Sequence, residues 1–170
     1  TNLWKKIVHN AWKSAEPGVL FWDTILKESV PDCYADLGYR TVSTNPCGEI
    51  PLCPYDSCRL LAINLYSYVV NPFKPDAYFD FELFQKHIAL AQRIMDDIID
   101  LELEKIERIM EKIDADPESE DVKHTERILW DKIYKKSGQG RRTGVGITAE
   151  GDMLAALGLR YGTEEATEFS

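Results

Sequence analysis

Asn45, Cys47 and Glu49 set an amide, a thiol and a carboxylate at alternate positions of the segment Asn45-Pro46-Cys47-Gly48-Glu49. Pro46 pushes Asn45 toward extended geometry and Gly48 permits an unusual turn, so the spacing predicts side chains 45, 47 and 49 projecting to one side of a non-helical loop. An amide can orient a hydroxyl, a thiol can give or take a hydrogen atom, and a carboxylate can remove a proton from a substrate within hydrogen-bond reach. These are the parts of a reaction centre.

Around that centre the sequence resembles a known family. Thr44-Asn45-Pro46-Cys47-Gly48-Glu49-Ile50-Pro51-Leu52, followed by Asp56-Ser57-Cys58-Arg59-Leu60-Leu61-Ala62-Ile63-Asn64-Leu65, resembles the finger loop and returning strand of the large catalytic chain of ribonucleotide reductases. The proline and glycine beside Cys47 look most like the adenosylcobalamin-dependent, class II branch. A second stretch, Arg141-Arg142-Thr143-Gly144-Val145-Gly146-Ile147 running through Gly151-Asp152-Met153-Leu154 to Leu157-Gly158, follows in the family's order, and Trp12-Lys13 with Pro17-Gly18 resembles the helix and turn before the loop. The likeness covers nearly all 170 residues and is most specific over 44–65.

The resemblance implies a role for each matching residue. Cys47 would become a thiyl radical and abstract the 3′-hydrogen of a ribonucleotide, Glu49 would be the base for the 3′-hydroxyl, and Asn45 would bind the substrate and help place that carboxylate. Ser57 would also contact the substrate. Cys58 would be one half of the redox-active dithiol that reduces the 2′-position. A radical at C3′ makes loss of the 2′-hydroxyl as water feasible, and two electrons must then come from a thiol pair. The implied cofactor is adenosylcobalamin. The implied partners are a ribonucleoside di- or triphosphate, a thioredoxin-like reductant and the remainder of the same reductase chain. The implied fold is α/β, mainly helical by content: a partial segment of the family's ten-stranded barrel, all within one catalytic domain. In it the finger loop would cover about 44–58, a long helical region about 80–136, and a glycine-rich strand and helix about 141–158. A segment this short is expected to have no turnover alone.

Cys33 and Cys53 carry no such signal and read as small buried hydrophobes. The four cysteines at 33, 47, 53 and 58 could in principle close a zinc tetrahedron, although their gaps lack the paired short knuckles of structural zinc. A small zinc-binding protein and a helical interaction module built on 80–136 are therefore the competing readings. No metal site is expected. Asp96, Asp97 and Asp100 read as a solvated helix face, and the Glu-x-x-His pattern of helical di-metal sites is absent.

Composition sets wider bounds. Hydrophobic residues at 44% and charged residues at 29% describe a globular protein, and a formal charge of −9 argues against a nucleic-acid surface. The one basic cluster, Lys135-Lys136 with Arg141-Arg142, reads as a solvated helix end. No apolar run approaches the roughly eighteen residues that span a bilayer, and the expected location is the cytoplasm, where thiols stay reduced.

The elements that must position the loop follow from periodicity and punctuation. Leu3, Trp4, Ile7, Val8, Ala11 and Trp12 share a helical face, with Asn2 as the expected cap and Pro17-Gly18 as the stop. Val19-Leu20-Phe21-Trp22 reads as a short strand or tight buried segment, Pro31 and Gly38 as loop markers, and Tyr39–Thr44 as the strand entering the loop. Leu60–Val70 fits a strand or a short helix. After Asp80, Phe84, Ile88, Ala91, Met95 and Ile98 step at helical spacing, giving one helix of more than thirty residues or two joined by a bend over 80–114. A second helical pattern spans 124–136 and is expected to break at Gly138 and Gly140. His87 reads as a core or boundary histidine. The glycines at 144, 146 and 151 suggest a strand packed closely on its neighbours rather than a phosphate cradle.

Overall fold

A computed structural model describes residues 1–170. The chain forms two compact units, residues 1–54 and 55–170.

In the first unit, α1 (Asn2–Ser14) is capped by Thr1, not Asn2: the Thr1 hydroxyl accepts from the Trp4 N–H at 3.4 Å. Its end comes before the proline, at Ala15, which takes the left-handed conformation with φ 59°. The apolar face of α1 is open, with no buried residue. Val19–Trp22 is neither strand nor buried. Residues 19–21 are irregular and exposed, and Trp22 opens α2 (Trp22–Glu28), because the only ladder in this unit lies elsewhere and offers the run no partner. Pro31 starts and Gly38, at φ 89°, ends a 3₁₀ helix (Val30–Leu37), so the two residues bracket an element instead of marking loops. The strand expected over Tyr39–Thr44 is shorter than that. Only β1 (Ser43–Thr44) pairs, antiparallel to β2 (Pro51–Leu52). Thr41 is diverted upstream: its N–H and hydroxyl both donate to the Asp32 carboxylate, at 3.0 and 2.5 Å.

In the second unit, 60–70 is strand and helix in turn: β3 (Leu60–Asn64), a 3₁₀ turn (Leu65–Tyr68) and β4 (Val69–Val70), which pairs antiparallel with β5 (Tyr78–Phe79). Asp80 caps α3 by accepting from the Leu83 N–H at 2.9 Å, and α3 (Phe81–Ala115) is a single helix of 35 residues. Its buried stripe is Ala91, Met95, Ile99, Ile106 and Ile113. Ile88 and Ile98, expected on that face, are exposed. After a short link, α4 (Glu120–Gly140) packs on α3 and continues through Gly138. A Cβ there would stand 3.6 Å from Leu103, so this glycine sits at a close helix–helix approach inside a continuing helix. Arg141, left-handed at φ 43°, ends it.

β6 (Gly144–Thr148) then returns parallel to β3, Leu60 opposite Gly144 and Asn64 opposite Thr148, so α3 and α4 form the crossover that a parallel pair requires. α5 (Glu150–Ala156) and α6 (Glu164–Phe169) close the unit over a core containing Ile63, Leu65, Tyr68, Phe79, Met153 and Leu154. His87 is exposed, not a core or boundary residue, although its Nδ1 lies 3.0 Å from the hydroxyl of buried Tyr68. The architecture is mainly helical, with three two-stranded sheets and no closed barrel. No helix is long and apolar enough to cross a membrane.

Candidate active site

The segment around Cys47 is a small hairpin built by Asn45. Its backbone N–H donates to the Ile50 carbonyl at 3.2 Å, and its side-chain Oδ1 accepts from the Ile50 N–H at 3.0 Å, so one residue makes both rungs beyond β1 and β2. The Gly48 N–H donates to the Asn45 carbonyl at 3.0 Å, closing a four-residue turn with Pro46 second and Gly48 last. Proline's fixed φ suits the second position of such a turn, and Gly48, at φ 83°, takes a backbone conformation that a side chain would strain.

Asn45 and Cys47 therefore share one turn and Glu49 follows it directly, but the three are not placed in the same manner. Asn45 is half-buried and spends its side-chain oxygen on the hairpin, which leaves its amide N–H₂ as a donor. Cys47, a free thiol, and Glu49 are exposed. Beside the turn, Gly48 and Pro51 line an open apolar cavity of about 580 Å³ with Leu20, Phe21, Ile25 and Val30.

Ser57 and Cys58 lie in the second unit, in the irregular segment that enters β3. Both are half-buried and Cys58 is a free thiol. Their neighbours are anchored. The Asp56 carboxylate accepts from Arg142 Nε at 2.8 Å and from the Ser57 N–H at 2.9 Å. Arg59, 8% exposed, donates to Glu102, to Ser137 Oγ at 2.9 Å and to the Arg142 carbonyl at 3.0 Å.

Of the 141–142 pair, Arg141 does end α4 and is partly exposed, but both arginines are paired with carboxylates. Arg141 bridges Asp96 at 2.7 Å and Asp100 at 2.8 Å, so two of the three aspartates expected to face water hold a cation. The hydrogen bond from Arg141 keeps the Asp96 carboxyl below its ordinary range, and the two carboxylates drive the Arg141 guanidinium up in return. Reasoning from sequence missed Arg59, Glu102 and Arg142 as partners of the Cys58 segment. The available signal was an arginine directly before an apolar strand, which needs acceptors if it is buried. The close-packing reading holds at Gly144, where a Cβ would stand 2.8 Å from Leu60 and 3.1 Å from the Arg59 carbonyl, but not at Gly151, which lies in α5 with open space beside it.

Comparison with known proteins places these residues in a family. The family described as "Ribonucleotide reductase, barrel domain" matches residues 1–170. The chain belongs to that family. The vitamin B12-dependent ribonucleoside-diphosphate reductase of Thermoplasma acidophilum is 33% identical over 166 residues, 98% of this chain and 17% of that protein. The protein of the same name from Mycobacterium tuberculosis (strain CDC 1551) is 30% identical over 169 residues, 99% of this chain and 20% of that protein. The ribonucleoside-diphosphate reductase subunit alpha of Chlamydia pneumoniae is 27% identical over 172 residues, 99% of this chain and 13% of that protein. This reductase chain thus spans about a fifth or less of the curated relatives it matches. No solved structure matches it. Membership over the whole chain sets aside the small zinc protein and the free-standing helical module, and no group of three His, Cys, Asp or Glu side chains is gathered as a metal site would need.

Proposed function

We propose that this chain is the part of a B12-dependent ribonucleotide reductase that carries the radical cysteine and one reducing thiol. The observation that carries the reading is the Asn45 hairpin, which holds an exposed thiol on its four-residue turn and an exposed carboxylate on the residue just after it. The names of the T. acidophilum and M. tuberculosis relatives favour a ribonucleoside diphosphate as substrate.

Each residue has one task. Cys47, as a thiyl radical, takes the 3′-hydrogen as an atom and leaves the unpaired electron on C3′. Glu49 accepts the 3′-hydroxyl proton, and the 2′-hydroxyl departs as water by taking a proton from the thiol pair. The Asn45 amide donates to the substrate from a backbone that its own side-chain oxygen has fixed. Cys58 and a second thiol elsewhere in the reductase supply two electrons and end as a disulfide, which a thioredoxin-like protein reduces. Cys47 then returns its hydrogen atom to C3′. Adenosylcobalamin, when bound, supplies the initiating radical. Cys47 fits that role because its sulfur is exposed at the turn and can be reached from outside the hairpin. The β3–β6 parallel pair with its helical crossover would be part of the family's ten-stranded barrel, and the enzyme would work in the cytoplasm. Residues 1–170 alone would not turn over.

The test is made in the longer reductase chain containing these residues. Glu49→Gln and Cys58→Ala should each abolish multiple-turnover deoxyribonucleotide formation with a thioredoxin-type reductant. Parent rates in both variants would overturn the assignment.

A further inference from the structure

The two stretches that resemble the reductases meet at Arg142. Its guanidinium Nε donates to Asp56 Oδ2 at 2.8 Å, and its carbonyl accepts from Arg59 Nη1 at 3.0 Å. Asp56 and Arg59 bracket Ser57-Cys58, so a single residue grips the segment on both sides of the thiol. The grip is continued by the ladder, where the Gly144 N–H donates to the Arg59 carbonyl at 2.9 Å. At the near end, the Lys132 ammonium lies 5.1 Å from the centre of the Tyr55 ring.

These are buried groups. The side chains of Asp56, Arg59 and Arg142 are 7%, 6% and 18% exposed. Burying ion pairs costs desolvation and is a poor route to stability, whereas it fixes geometry well. Ser57 and Cys58 are left as the two side chains of this segment that the clamp does not occupy.

We infer that Arg142 is a positioning residue for Cys58: by holding Asp56 with its side chain and Arg59 with its carbonyl, it fixes where the reducing thiol stands at the entry to β3. The inference rests on reading Cys58 as a redox thiol, and it gives the paired arginines of the glycine-rich stretch a task at the site. Arg142 touches neither substrate nor cofactor in this role.

The test needs no turnover, so it can fail independently of that reading. In the 170-residue chain, the rate of iodoacetamide labelling at each cysteine is followed by mass spectrometry, with hydrogen exchange of the Leu61–Ile63 amides as a control for the fold of the second unit. Arg142→Ala and Asp56→Asn should each speed labelling of Cys58 by roughly tenfold, as a half-buried thiol does when its segment opens locally, while Cys53 and the ladder amides keep their parent rates. Arg142→Lys, which keeps a cation opposite Asp56, should restore most of the protection. An unchanged Cys58 rate in both Arg142→Ala and Asp56→Asn would overturn the inference, and so would a rise at Cys58 matched by loss of ladder protection. If Cys58→Ala leaves turnover intact in the longer chain, the redox reading fails even where the labelling result holds.

Discussion

Arg59 reaches across 83 positions of sequence to donate a 3.0 Å hydrogen bond to the carbonyl of Arg142. The same guanidinium binds Glu102 and Ser137, so β3, α3, α4 and the approach to β6 converge on one buried cation. Removing it takes the cation from a half-buried acid and the donor from a carbonyl, while the Ser137 hydroxyl still donates to Glu102 at 3.2 Å.

Arg59→Ala should therefore destabilise the second unit by about 3–5 kcal/mol, the usual result of taking one member from a buried ion pair. Urea unfolding followed at the α3 and α4 helical signal measures this. Arg59→Met with Glu102→Leu, which leaves no buried charge behind, should recover much of the loss.

Asn45 has separable duties. Asn45→Ala removes the Oδ1 acceptor of the Ile50 N–H and should cost the first unit about 1 kcal/mol. Asn45→Asp keeps that acceptor but loses the amide donor, so stability should stay near parent while deoxyribonucleotide formation in the longer chain falls. Chemical denaturation and product assay on the two variants read the duties apart.

Thr41 and Asp32 make the approach to the loop pH-sensitive. Burial pushes the Asp32 carboxyl up, but hydrogen bonds from the Thr41 hydroxyl and N–H and from Ser29 outweigh it and hold the group below its ordinary value. A depressed carboxyl stabilises the fold above its unfolded value and loses that contribution as pH falls through its folded one. Thr41→Val should thus cost about 1.5 kcal/mol at pH 7, and the gap from parent should narrow below about pH 4. Thermal melts at a series of pH values give the comparison.

Gly144→Ala should destabilise the β3–β6 pair by about 1–3 kcal/mol through overpacking. Leu60, 64% exposed, can swing away from the new methyl, but the Arg59 carbonyl cannot, because the Gly144 N–H is bonded to it. Faster amide exchange confined to β3 and β6 would be the signature.

Local signals made much of this legible in the sequence. Asp80 caps α3 as its side chain and position predict, and the absence of glycine or proline after it predicts the helix's length. The turn at Pro46 and Gly48 follows from backbone restrictions alone. What could not be read depends on partners distant along the chain. Val19–Trp22 has strand composition but no strand beside it, and Gly138 stays helical because Leu103 lies against it. Periodicity put Ile98 on the buried face, whereas packing buries its neighbour Ile99, since a helix of 35 residues drifts relative to a short-window stripe. The arginines looked solvated because Asp56, Asp96 and Asp100 are 41 to 86 positions away. At the site, residue types and order were readable, while the clamp around Cys58 needed coordinates.

The central claim is that the Cys47 sulfur carries the unpaired electron that starts sugar deoxygenation. It is tested most directly by electron paramagnetic resonance of the longer reductase chain with adenosylcobalamin and ribonucleotide, parent against Cys47→Ala, with product measured in the same samples. The account predicts a thiyl-coupled signal and deoxyribonucleotide in the parent and neither in the variant, with circular dichroism unchanged. Deoxyribonucleotide formed by Cys47→Ala at the parent rate would contradict it.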